Sequence, residues 1–99
     1  KAYEAVEEYL DGDNYPEAYF FAGYLEFREG NLDQAEKHFL AAIDQRTEFP
    51  EAYYDLGLIY WQRNELDLAA DYLKKAIEQD PDNENFKKVL EEINQSRPS

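Results

Sequence analysis

Residues 16–47 nearly repeat themselves 34 residues further along the chain. Pro16-Glu17-Ala18-Tyr19 returns as Pro50-Glu51-Ala52-Tyr53, and Gly23 returns as Gly57. Leu32-Asp33 returns as Leu66-Asp67, Ala35 as Ala69, Ala42-Ile43 as Ala76-Ile77 and Gln45 as Gln79. That makes 11 identities over 32 aligned positions at one spacing, without a gap. A period of this length marks an architecture of stacked repeats, in which each unit buries its apolar face on the next. Stacked repeats mostly build extended surfaces for binding rather than pockets for chemistry.

Within each repeat the marks fall at helical spacing. Tyr19, Ala22, Gly23 and Glu26 stand at i, i+3, i+4 and i+7, as do Tyr53, Leu56, Gly57 and Tyr60. A second helical set follows in each: Ala35, Phe39, Ala42, Ile43, and Ala69, Leu73, Ala76, Ile77. Gly30-Asn31 and Asn64-Glu65 separate the sets, and Gly and Asn tolerate the left-handed conformation that ends a helix. Each repeat is therefore an αα-hairpin, with Pro16, Pro50 and Pro81 at starts where a missing N–H is cheap. The pattern predicts helices at about 2–11, 16–29, 32–46, 50–63, 66–79 and 84–96. The first of these, with Ala2, Val6, Tyr9 and Leu10 ahead of Gly12, reads as the second half of a hairpin whose partner lies upstream. The last places Phe86, Val89, Leu90 and Ile93 on one stripe and charges elsewhere, as the solvated cap of a stack requires.

The chain length of 99 residues suits one domain, and 43% apolar residues with 16% aromatics suit a folded one. A start at Lys1 rather than Met is expected of a segment taken from a longer protein. No apolar run has membrane-spanning length, and no signal-peptide pattern opens the sequence. There is no Cys, so disulfides and thiolate metal sites are excluded. The net charge is −13, with eight acids in the first thirty residues against Lys1 and Arg28. Such a surface repels nucleic-acid phosphates and anionic lipid, keeps a domain in solution, and favours basic partners.

The second repeat reads Tyr53-x-x-Leu56-Gly57-x-x-Tyr60, then Ala69-x-x-x-Leu73, Ala76 and Pro81. This resembles the tetratricopeptide repeat, whose signature has an aromatic, Leu-Gly, Tyr, Ala, a large apolar residue and a closing Pro. In the first repeat Tyr19, Gly23, Ala35, Phe39 and Ala42 fit, while Ala22 replaces the Leu, Glu26 the Tyr and Thr47 the Pro. The resemblance implies an all-α fold, a right-handed α-solenoid of helix-turn-helix repeats. One domain, 1–99, would comprise a flanking helix (1–13), repeats at 16–49 and 50–83, a capping helix (84–96) and a tail (97–99). Gly23, Gly57, Ala35 and Ala69 would let paired helices touch, and Tyr53 and Leu56 would fill the gaps between hairpins.

No constellation for catalysis is present. The serines are Ser96 and Ser99, Thr47 stands alone, and His38 is the sole histidine. Between Lys37 and Phe39, and near Glu36, it is expected to be a solvated surface residue whose change to Ala is nearly neutral. Asp11-Gly12-Asp13-Asn14 begins like a calcium loop, but Pro16 follows and the sixth position is not Gly. Asp80-Pro81-Asp82-Asn83-Glu84 looks like an ordinary turn between repeats. Glu7 and Glu8, like Glu91 and Glu92, are adjacent on helices and point apart. Without a glycine-rich phosphate loop either, neither enzyme activity nor metal nor cofactor is expected.

The resemblance also implies where a partner would bind. In this family the first helix of each hairpin lines a concave groove. The matching positions here are Glu17, Phe20, Tyr24, Phe27 and Arg28, then Glu51, Tyr54, Leu58, Trp61 and Gln62. Phe20, Tyr54, Phe27 and Trp61 occupy positions that also serve as packing residues in the family, so part of this face has a second reading as core. Family members that clamp a peptide carboxylate carry Asn where Tyr24 and Leu58 stand, with basic residues around it, and this chain does not. The groove instead suits an apolar or aromatic peptide or helix with flanking Lys or Arg, steered by Glu17, Glu51 and Asp55. Tyr24, Leu58 and Trp61 are expected to be at least partly exposed. The reading is a protein–protein interaction module, a scaffold or adaptor. The alternatives are self-assembly into a homo-oligomer through the first helix, with Tyr3, Val6, Tyr9 and Leu10, or regulation of an enzyme domain elsewhere in a parent chain.

Overall fold

The computed structural model describes residues 16–98. The helix expected at 2–11, the acidic loop after it and the oligomerisation surface built on them lie outside the described residues. Among those described, five helices follow one another: α1 (Pro16–Arg28), α2 (Leu32–Gln45), α3 (Pro50–Gln62), α4 (Leu66–Gln79) and α5 (Glu84–Ser96). Three of them end one residue before the predicted boundary. At the end of α2 the reason is local, since Arg46 is already extended at φ −142° and ψ 104°.

The chain forms two compact units, Lys1–Glu48 and Phe49–Ser99. In the first, α1 packs on α2. Gly23 permits the approach: a Cβ there would stand 2.8 Å from two ring carbons of Phe39 and 3.2 Å from the Ala35 carbonyl oxygen. Ala22, Ala35, Phe39 and Ala42 are fully buried along this seam. Arg46 at the end of α2 donates from Nη1 to Glu17 Oε2 at the start of α1, closing the open end of the hairpin.

In the second unit α3 packs on α4, and α4 on α5. A Cβ at Gly57 would fall inside the shell of Leu73 Cδ2 and lie 3.3 Å from the Ala69 carbonyl oxygen. Leu56, Ile59, Leu73 and Ile93 are fully buried, each worth roughly 1.5–3 kcal/mol relative to exposure. The N–H of Phe49, the residue before α3, donates to Gln79 Oε1 at the end of α4, 2.8 Å away. Asn83 caps α5 by accepting from the Phe86 N–H at 3.0 Å. That helix buries Phe86, Val89 and Ile93 and exposes Lys87, Lys88, Glu91 and Glu92.

Both hairpins turn by the same device. Gly30 at φ 82° and Asn64 at φ 62° hold the left-handed conformation. Asn31 N–H bonds to the Glu26 carbonyl at 2.9 Å and Gly30 N–H to Phe27 at 3.0 Å. Glu65 N–H bonds to Tyr60 at 2.8 Å and Asn64 N–H to Trp61 at 2.9 Å. This pair of closing bonds is a Schellman cap, which satisfies carbonyls a helix end leaves open.

Candidate partner-binding face

Each hairpin presents its first helix in its own way. On α1, Phe20, Tyr24 and Phe27 follow at i, i+4 and i+7 and so share a face. Phe20 is half-buried, its ring tilted against Phe39 with centroids 5.5 Å apart. Phe27 is half-buried, whereas Tyr24 is 41% exposed. The Arg28 guanidinium lies 5.9 Å from the centre of the Tyr24 ring, a cation–π contact worth about 0.5–1 kcal/mol at an exposed site. Glu17 is exposed at the start of the helix. Beside this strip stands Phe21, 47% exposed, which the repeat pattern did not single out. Its counterpart 34 residues on is Asp55, and that mismatch is the signal that could have marked it.

On α3, Tyr54, Leu58 and Trp61 hold the same spacing, and all three are half-buried. The Tyr54 ring stacks on Phe86 at 4.7 Å, and its hydroxyl accepts from Asn85 Nδ2 at 3.1 Å. Tyr54 and Phe20 thus both contribute to packing. Leu58 and Trp61 retain partial exposure, and Glu51 and Gln62 are exposed at the two ends. Asp55 behaves differently from the other acids. Burial, and then the Glu51 carboxylate one turn earlier, push its carboxyl up from 3.8 to about 7. It is only about half ionised at neutral pH, and so carries only part of a charge on this face.

His38 is not the solvated residue that its sequence neighbours suggested. Its side chain is 14% exposed, and its Nδ1 lies 2.6 Å from Oε1 of Glu26, which is itself buried. The reason is geometric: His38 on α2 faces Glu26 on α1, inside its own hairpin, as Tyr72 faces Tyr60 in the second. There Tyr60 meets Tyr72 with ring centroids 5.1 Å apart, and Tyr60 and Tyr72 are the residues 34 places after Glu26 and His38. The joint departure of both positions from the second repeat was the available signal.

Among the described residues no group of three His, Cys, Asp or Glu side chains converges as a metal site would require. Nor is any helix among them long and apolar enough to cross a membrane.

A tetratricopeptide repeat family model matches residues 1–48 and again 22–84. The chain belongs to the tetratricopeptide repeat family. Two crystal structures of MamA are similar to it. One is 31% identical with a TM-score of 0.76, covering 81% of this chain and 47% of the MamA chain. The other is 26% identical with a TM-score of 0.79, covering 95% and 57%. The chain thus spans about half the length of the solved chains it matches. A comparison with curated proteins found no match. The tetratricopeptide fold is all-α, built from helix-turn-helix units, and the family is one of interaction modules. Protein partners and a scaffold role follow for this chain in general terms.

Proposed function

We propose that this tetratricopeptide domain holds an apolar or aromatic protein segment with flanking Lys or Arg against the first helices of its hairpins. The observation that supports the reading most is Tyr24, exposed on the aromatic strip of α1 between half-buried Phe20 and Phe27. Leu58 and Trp61 offer partial exposure at matching positions on α3. Phe20 and Tyr54 frame these contacts while packing on Phe39 and Phe86, and Phe27 is half-buried beside them. Trp and Tyr give large contact areas with few rotors to immobilise, which is why they dominate binding hot spots. Glu17 and Glu51 would raise the association rate of a basic partner more than its affinity. Neither catalysis nor a cofactor enters this reading.

The test is a pull-down with the domain, identification of the adhering protein, and calorimetric titration of the segment it contributes. Trp61→Ala or Tyr24→Ala should weaken binding by at least about 2 kcal/mol, with the circular dichroism of the domain unchanged. Undiminished affinity in both variants would place the contact elsewhere.

A further inference from the structure

The two hairpins share a backbone plan but differ in what fills the space between their helices. In the second, Tyr60 of α3 meets Tyr72 of α4, and Tyr53 completes the cluster at 6.0 Å from Tyr72 with an interplanar angle of 34°. In the first, Tyr19 lies 6.1 Å from the His38 ring at 33°. The imidazole therefore occupies the place of the Tyr72 ring almost to the degree. Opposite it, the carboxylate of Glu26, 3% exposed, occupies the place of Tyr60.

Two further exchanges run the same way. Fully buried Leu56 has Ala22 as its counterpart, and fully buried Ala70 has half-buried Glu36. The second hairpin thus closes on aromatic and aliphatic surface. Aromatic pairs add stability beyond the area they bury. The first keeps its Phe39 seam but, where the second has its tyrosine pair, closes on a short hydrogen bond between two polar groups withdrawn from water. Such a contact repays little beyond the desolvation of its partners, and apolar replacements of similar volume often hold the same elements together more firmly. It is also all-or-none. Once the ring and the carboxylate separate, water solvates both, and the pull that draws the helices back is left to the Ala22, Ala35, Phe39 and Ala42 seam.

We infer that the Glu26–His38 pair is a polar latch, and that it makes α1–α2 the part of the chain that opens first, while α3–α5 stays closed. Opening here is a cooperative local event of the kind that divides proteins into units of unequal stability. The inference does not depend on the partner proposed above, because it concerns the free chain.

Native-state hydrogen exchange on the full chain tests it. Protection factors of the slowest amides of α1 and α2 should be at least about tenfold lower than those of α3 and α4. The double substitution Glu26→Tyr with His38→Tyr restores the aromatic pair and should close most of that gap by raising protection in α1 and α2 alone. The reciprocal transplant, Tyr60→Glu with Tyr72→His, should lower protection in α3 and α4. Equal protection of the two hairpins in the unaltered chain would overturn the inference. So would a gap that neither exchange moves. Exchange in the unaltered chain can refute the latch even if one of the substituted proteins fails to fold.

Discussion

Asp55→Asn offers a direct measure of what a half-buried acid does to this fold. The carboxyl stands at about 7 in the folded chain against 3.8 for the free side chain. The fold thus favours the protonated acid over the carboxylate. A raised folded value contributes stability that is fully present below pH 3.8 and is lost as pH rises through about 7. The difference of about 3 units, at about 1.4 kcal/mol each, makes the ionised carboxylate worth up to about 4 kcal/mol against folding in mild alkali. Asn has nearly the same shape and no charge at any pH. Asp55→Asn should therefore raise the melting temperature at about pH 8, by about 4–8 °C for each kcal/mol regained in a domain of this size. The two proteins should converge as the pH falls to about 4. Thermal melts followed by circular dichroism at constant ionic strength, across that pH range, are the assay. A melting-temperature difference that does not change with pH would refute the reasoning, because it would show Asp55 ionising as freely in the folded chain as outside it. The same substitution should reduce the salt dependence of partner association less than Glu51→Gln, since Asp55 carries only part of a charge at neutral pH.

Other outcomes follow from the contacts described. Gly57→Leu should destabilise by about 1–3 kcal/mol in urea titrations, because any side chain there meets Leu73 in a filled seam. His38→Ala should cost about 1–3 kcal/mol rather than nothing, since it removes the ring that Glu26 meets inside the hairpin; chemical denaturation reads this directly. Asn64→Ala should cost up to about 1 kcal/mol, because Ala lacks the short polar side chain that lets Asn hold φ 62°, whereas Asn64→Gly should be tolerated in the same melts.

Most of the architecture was legible because repetition doubles each local signal. Gly23 and Gly57 mark the close approaches, Gly30 and Asn64 the turns, and Pro50 the start of α3, each supported by its counterpart 34 residues away. What the pattern hid lies where the counterparts disagree. Glu26 and His38 carry residue types that usually face water, and nothing in a linear pattern shows that two such residues meet across a hairpin. Phe21 stands three residues before Tyr24, on the edge of the same face, but its counterpart is Asp55, so an argument from the repeat passes over it. The extent to which Phe20 and Tyr54 turn inward was set by Phe39 and Phe86, one from a second helix and one from the last, and spacing along α1 or α3 does not carry that. The charge state of Asp55 depends on burial, which composition does not encode.

The outer face of α5 bears on how an array of such hairpins could be lengthened. Counting 34 residues on from Tyr53, Leu56, Gly57 and Tyr60 leads to Lys87, Leu90, Glu91 and Asn94. One of the four, Leu90, keeps the apolar type that a further hairpin would use. Glu91 fills the place where a following helix would need a bare backbone, and Lys87 and Asn94 stand where aromatic rings would close on it. A repeat of the same pattern placed after α5 would find Leu90 alone of these four to dock on. A designer wishing to stack a hairpin of the same pattern on α5 would first have to rewrite Lys87, Glu91 and Asn94.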